Sequence, residues 1–330
     1  MTTSKIALIT VVTLGLAGLL GVNGYVLWKM NSTSDEDSGS SSPSVAQNQD
    51  AVPSGTPANI NAVISRKTSQ NGPWNNDLII TTSSSITGFA SSSERFVESA
   101  GVPTLAKTSD GTLYASFQWF PDVDASFDKV ATSISHDNGV TWTDPETVAI
   151  ADMPSTLQRA FDPTLVVLPD DTLRMYFTTS ERGSQDTYIA SATSSDGVHY
   201  TFTGTAMTKT GARLYDSAVV PVGETWLMST PYAPNFGTHH GTSTDGITFT
   251  YTGVNSSNAS NNWTGNYLVD NGSIYFFGTD TGSGVWYATS ADGEAWSSAV
   301  FTGIRGGDPA VIKADNGTYI MVYTSNGKVK

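Results

Sequence analysis

The sequence predicts an all-β chain whose main body, residues 73–330, is a five-bladed β-propeller closed by its own N-terminal strands. Three observations carry that prediction: a composition suited to strands and turns, two turn patterns that alternate along the chain, and half a repeat at each end. Only 14% of the 330 residues are charged, against roughly 25% in ordinary soluble domains. Ser, Thr, Gly and Asn fill the deficit and aromatics reach 10%, which disfavours long surface helices and favours strands. With 30 acidic against 16 basic residues the net charge is −14, so the clustered cations a nucleic-acid binder needs are missing. The absence of cysteine excludes a disulfide scaffold, a thiol nucleophile and thiolate zinc sites.

The first element is Ile6 to Trp28, an almost unbroken apolar run of 23 residues interrupted mainly by Asn23 and Gly24. A helix of that length spans a hydrocarbon core of about 30 Å. No A-x-A-like cleavage site follows, and Trp28 stands where an interfacial anchor would, so residues 1–30 are expected to form an uncleaved membrane anchor. A cleaved secretory signal is the alternative, and either one exports the remainder. Residues 31–72 are rich in Ser, Asn, Asp, Gln and Pro. They lack the apolar surface needed to offset chain entropy and are expected to form a flexible linker.

Beyond residue 73 the first recurring pattern is a tight turn between two apolar strands. It occurs as Ser109-Asp-Gly-Thr-Leu, Pro169-Asp-Asp-Thr-Leu, Val222-Gly-Glu-Thr-Trp, Asp270-Asn-Gly-Ser-Ile and Asp315-Asn-Gly-Thr-Tyr. Gly and Asn supply the positive φ angles that short hairpins require. The second pattern is Ser-x-Asp-Gly-x-x-aromatic, seen at Ser194–Tyr200, Ser243–Phe249 and Ser290–Trp296, with a copy one residue longer at Ser135–Trp142. Alternation of the two patterns gives a four-stranded unit of about 45–60 residues, the size of a propeller blade. Blade one is expected over about 101–150, blade two over 161–206, blade three over 215–253 and blade four over 263–303. The unit at 308–330 stops after two strands. Asp77 to Ser84 has the pattern of a third strand and Thr87 to Val97 could supply the fourth, so the front of the domain would complete blade five. Closure of this kind leaves no bare sheet edge.

The Ser-x-Asp-Gly-x-x-aromatic boxes resemble the Asp-box (BNR) repeats of sialidases and related propellers, where the box is a structural device. An Asp-Pro opening before an apolar strand, a Gly turn and a Tyr-rich strand (Asp308-Pro-Ala-Val-Ile, then Asn316-Gly-Thr-Tyr-Ile-Met-Val-Tyr) resembles five-bladed glycosidases. The comparison is with the arabinanase/xylosidase, invertase and mannoside-phosphorylase groups. The resemblance implies a base or nucleophile Asp at such a strand start, a second Asp that orients or tunes, and a Glu general acid. Asp162 and Asp308 match the Asp-Pro positions. Asp216 occupies the place of the expected Glu-Gly-Pro or Glu-Ala-Pro start, which is absent, and Glu181 is the alternative acid. Two carboxyl groups flanking a glycosidic bond are what such hydrolysis needs; the structural alternative is an Asp that merely caps a strand-end turn.

An arginine precedes each of these acids by three residues: Arg159, Arg213 and Arg305. A cluster of them could grip a substrate carboxylate, as three arginines do in sialidases, although the Arg-Ile-Pro signature of that family is absent. The other reading is a local ion pair with each Asp. Trp119, Phe120, Tyr232 and Trp263 are candidate rim aromatics for stacking on sugar rings, and His240 is a candidate substrate contact. Asp122, Asp124 and Asp128 read as an acidic solvated loop rather than a calcium site. The expected function is an exported, membrane-anchored propeller that processes a carbohydrate without a cofactor or metal and without nucleic acid. The rival is a non-catalytic propeller that presents a glycan- or protein-binding surface.

Overall fold

The structure, a computed structural model, describes residues 72–232, 237–255, 261–280 and 282–329. The expected anchor at 1–30 and nearly all of the expected linker lie outside the described residues. Among those described, no helix is long and apolar enough to cross a membrane; the two helical segments are short 3-10 turns, Pro73–Asn75 and Asp124–Ser126.

The strands run in chain order as follows. β1 (Leu78–Ser83) and β2 (Arg95–Val97) come first. Blade one holds β3 (Ala100–Lys107), β4 (Leu113–Trp119), β5 (Lys129–Ser135) and β6 (Glu146–Thr147). A short β7 (Ala149–Ala151) precedes blade two, which holds β8 (Phe161–Val167), β9 (Leu173–Thr179), β10 (Tyr188–Ser194) and β11 (His199–Met207). Blade three is β12 (Ala218–Val222), β13 (Thr225–Tyr232), β14 (Gly237–Ser243) and β15 (Thr250–Asn255). Blade four is β16 (Asn261–Asp270), β17 (Ser273–Asp280), β18 (Gly284–Ser290) and β19 (Val300–Phe301). β20 (Gly307–Lys313) and β21 (Tyr319–Thr324) complete the set.

Blade five has the order β2-β1-β21-β20. β1 pairs antiparallel with β21 from Leu78↔Thr324 to Ser83↔Tyr319, so the front of the domain supplies the outer half of the last blade, as the sequence predicts. The innermost strands β3, β8, β12, β16 and β20 contact one another around the axis. One expectation is corrected. Residues 149–151 belong to blade two, not blade one, because β7 pairs in parallel with the outermost strand β11. Ala149 N–H donates to Val198 O, and the chain leaving blade one thereby covers an edge that would otherwise be bare.

Each junction between blades is an apolar seam. Leu78, Ile320 and Val322 of blade five meet Leu113 and Phe117 of blade one; Tyr114 and Val130 of blade one meet Leu165 and Met175 of blade two. Tyr176 and Ile189 face Val219 and Met228, Ala218 meets Trp263 and Trp286, and Phe277 and Val285 meet Val311 and Met321.

The four Ser-x-Asp turns have one hydrogen-bonding plan. At Ser194, the hydroxyl donates to Asp196 Oδ1 at 2.9 Å and accepts from Gly197 N–H at 2.9 Å. Asp196 Oδ1 in turn accepts the N–H groups of Val198 and His199. The same atoms meet at Ser135/Asp137, Ser243/Asp245 and Ser290/Asp292. The box aromatics reach the preceding blade: Trp142 lies 5.2 Å from Phe96, Phe249 lies 5.8 Å from Tyr176, and Tyr200 shares a cluster with Tyr114. Opposite the mouth of the funnel, hairpin turns of adjacent blades are tied by Lys107–Asp315 at 2.6 Å and Lys313–Asp270 at 3.0 Å.

Candidate functional site

The entry of four innermost strands repeats one backbone irregularity, and the fifth strand bends at Gly265, inside β16. Val102, Asp162, Asp216 and Asp308 have φ of 51°, 54°, 46° and 47°, and Gly265 has 148°. The ladder to the second strand breaks at this point in four blades, between Gly101 and Thr104, Phe161 and Thr164, Asn262 and Asn266, and Gly307 and Ala310. A non-glycine residue at positive φ is uncommon and costs about 1–3 kcal/mol. Asp tolerates the left-handed region better than most residues, because its short polar side chain can bond locally. At Gly265 no side chain fits: a Cβ there would lie 2.0 Å from the Phe277 carbonyl oxygen.

These five positions surround the axis. A narrow central pocket, with a cavity volume of about 10 Å³, is lined by Val102, Asp216, Gly265 and Asp308 together with their successors Pro103, Ser217, Asn266 and others. That is room for about one water molecule, far below the roughly 300–1,000 Å³ of sites for drug-sized ligands. Asn266 crosses the axis, its Nδ2 donating to Pro103 O at 3.0 Å and to Pro309 O at 3.4 Å. Thr164 Oγ1 donates to Ser217 O, and Leu165 N–H donates to Thr104 Oγ1 at 3.0 Å. The site's scaffold is thus stitched between blades as well as within them.

The three predicted strand-start acids therefore occupy equivalent positions of one ring. Asp216 and Asp308, 6% and 8% exposed, line the pocket, while Asp162 is 0% exposed and adjoins the lining residues Pro163 and Thr164. Neither of the remaining pocket-facing entries carries a carboxylate, as the sequence also indicates at Gly101-Val-Pro and Gly265-Asn-Tyr.

Several expectations fail here. Glu181 is exposed on the loop after β9, where its backbone bridges to Leu157, and it does not line the pocket. The arginines do not converge. Arg159 donates to Asp128 Oδ2 and to Asp128 O at 2.8 Å, Arg213 donates to Gln185 Oε1 at 2.8 Å, and Arg305 is exposed. Among the described residues none of the three lines the central pocket. Asp128 is consumed by Arg159 and by Gln118, whose Nε2 donates to it at 2.7 Å.

Of the predicted rim aromatics, Phe120 is fully buried, packed with Trp74, Phe127 and Val102. Apolar burial outweighs the loop position that suggested exposure. Trp263 is likewise buried, 4.5 Å from Phe276 and 5.3 Å from Trp286. Tyr232 ends β13, but its side chain lies outside the described residues. Trp119 is half-buried and lines a separate groove with Phe96, Pro121, Asp122 and Pro145. His240 lies edge-on to Trp263, 6.3 Å between ring centres. Burial, reinforced by His239, lowers its pKa to about 4, so at neutral pH it is uncharged.

The sequence reading missed the groups that hold the ring. Asp216 N–H donates to Thr178 Oγ1 at 3.1 Å, Asp308 N–H to Thr279 Oγ1 at 2.8 Å, and Val102 N–H to Thr324 Oγ1 at 3.2 Å. Each threonine is the last or next-to-last residue of the second strand of the preceding blade. A Thr in a strand reads as β propensity, so nothing in one strand distinguishes these hydroxyls.

Fold and site together define a five-bladed β-propeller with a ring of strand-entry acids at its axis. No protein-family model matches the chain, and no curated protein matches it. Solved structures do. One similar structure is an N-acetylgalactosamine deacetylase from F. plautii in complex with blood group B trisaccharide, with a TM-score of 0.51 and 13% identity over 72% of this chain and 82% of that one. Another is a thermostable family-43 glycoside hydrolase, with a TM-score of 0.50 and 11% identity over 68% of this chain and 88% of that one. A third is an exo-beta-1,3-galactanase from Phanerochaete chrysosporium with beta-1,3-galactotriose, with a TM-score of 0.50 and 13% identity over 75% and 64% of the two chains. At such identities the likeness is one of fold.

Proposed function

We propose that this protein is a glycan-acting propeller that hydrolyses a glycosidic bond at the axial pocket. The observation that carries the reading is the placement of Asp216 and Asp308 in one pocket, at equivalent strained positions on blades three and five. Backbone strain concentrated at the carboxylates of a cleft is a mark of functional sites. In this reading Asp308 is the base and Asp216 the general acid, flanking the bond as two-carboxylate hydrolysis requires. Asp162, more deeply buried, tunes their charge. The bound glycans of two structures with this fold support a carbohydrate as the substrate class. The arginine-based alternative is disfavoured, because the three guanidinium groups do not line the pocket.

The test is a glycan-panel assay on the full-length protein beside Asp216→Asn and Asp308→Asn. General acid–base groups contribute about 10²–10⁴-fold, so each variant is expected to lose at least 100-fold. Binding of a glycan by the wild type with no turnover would replace hydrolysis with the non-catalytic reading. The apolar run Ile6–Trp28 supports export with membrane anchorage. Sedimentation with membranes, and release by detergent but not by salt, would test that placement.

A further inference from the structure

We infer that Thr178 and Thr279 are positioning residues, hydroxyls by which one blade fixes the acid-bearing strand entry of the next. This rests on the reading of Asp216 and Asp308 as the reacting carboxylates. An acid at positive φ has an extended alternative of lower intrinsic energy, and adopting it would swing the carboxyl away from the axis. The bond from Asp N–H to a threonine Oγ1 fixes the peptide plane that leads into the strained residue, so the hydroxyl anchors the arrangement that faces the pocket. Both threonines are essentially fully buried, at 0% and 1% exposure, which shields these bonds from competing water. Thr279 is itself fixed, since its hydroxyl proton goes to Thr264 O at 3.1 Å.

The pattern around the ring supports the assignment. Thr178, Thr279 and Thr324 stand at one register position, opposite Phe161, Asn262 and Gly307. In blade three Ser229 pairs with Ala218 as Tyr176 pairs with Thr164, so the matching position is Pro231, which has no hydroxyl. The entry it would hold is Gly265, the one residue of the five that adopts positive φ without steric cost from a side chain. Threonine holds two of the three acids; before Asp162 the matching residue is Gln118, opposite Gly101, so the threonine device belongs to Asp216 and Asp308.

Two measurements on the full-length protein test this. In the first, kcat and KM are compared for wild type, Thr178→Val, Thr279→Val and the corresponding serine variants. Thr132→Val serves as control, since it removes a buried hydroxyl bonded to Ser116 at 2.7 Å and distant from the ring in sequence. The expected result is a fall of at least tenfold in kcat for both ring variants, with KM changed less than threefold, recovery in the serine variants, and no such split in the control. In the second, amide exchange is followed by NMR. The Asp216 N–H in Thr178→Val and the Asp308 N–H in Thr279→Val should exchange at least tenfold faster than in wild type, relative to amides of the adjoining strands. Exchange rates unchanged relative to those neighbours overturn the inference whether or not a substrate is found. Faster exchange with kcat unaffected also overturns it, while leaving hydrolysis at the pocket intact. A wild type without turnover instead removes the hydrolytic reading, and the exchange rates then decide whether the threonines hold the ring.

Discussion

Replacing Asp77 with alanine should open the ring at its seam, and the cost can be worked from the contacts. Asp77 is 0% exposed. Its carboxylate accepts Ser99 N–H at 3.0 Å, Val329 N–H at 2.9 Å and Lys328 Nζ at 2.8 Å. Alanine leaves two main-chain donors without their acceptor, at about 1–3 kcal/mol each. The Lys328 contact adds at most about 1 kcal/mol, because that side chain is 37% exposed and solvent screens it. The expected loss is about 4 kcal/mol, a fall in Tm of roughly 8–16 °C for a domain of this size. Lys328→Ala should cost only about 1 kcal/mol, since the two N–H bonds survive it. Burial disfavours ionised Asp77, but Lys328 and the N–H groups of Ser99 and Val329 outweigh it and hold the pKa below its usual 3.8. The contribution is therefore complete above about pH 4 and is lost as pH falls through the lowered value. Urea unfolding of the full-length protein in mild detergent, followed by tryptophan fluorescence at pH 7 and pH 3, measures both effects. A loss below about 1 kcal/mol for Asp77→Ala, or equal losses for the two variants, would refute the reasoning.

Three other perturbations have defined outcomes. Gly265→Ala places a methyl group 2.0 Å from the Phe277 carbonyl oxygen and should destabilise by at least about 3 kcal/mol in the same assay. Phe276→Ala empties a fully buried site 4.5 Å from Trp263 and 5.7 Å from Trp286; about 3–5 kcal/mol is expected, with altered indole emission. For His240, whose pKa falls from 6.5 to about 4, the folded state favours the neutral ring. Its stabilising effect is complete above pH 6.5 and declines as pH drops towards 4, so His240→Gln should flatten that part of the stability–pH curve.

The blade plan was readable because turns are written locally: Asn-Gly and Asp-Gly pairs and the Ser-x-Asp boxes recur at blade spacing, and their residues act within a few positions of one another. Closure was readable too, since residues 77–97 and 308–330 each bear half a blade's pattern. What escaped depends on which blade faces which. Phe120 follows Trp119 at a Pro-flanked strand end, but Trp74 and Phe127, from separate segments, enclose it. Arg159 stands three residues before Asp162, yet its partner Asp128 is on another blade. Asp162 and Asp308 were found by their Asp-Pro dipeptides and Asp216 by its matching place, while their positive φ and the threonine partners of Asp216 and Asp308 exist only once neighbouring blades are in register.

The pairing of β1 with β21 also bears on how the molecule is made. Asp77 N–H donates to Ser325 Oγ across 248 positions of sequence, so blade five has no partner for its first-made half until almost everything else has left the ribosome. Through most of synthesis the other blades form an open arc with two unsatisfied seams, and β1, paired only with the short β2, waits with its other edge bare. Such intermediates are aggregation-prone and slow to resolve, because the closing contact is among the most non-local the chain can make. The nascent chain, more than the finished ring, is where assistance from chaperones would matter.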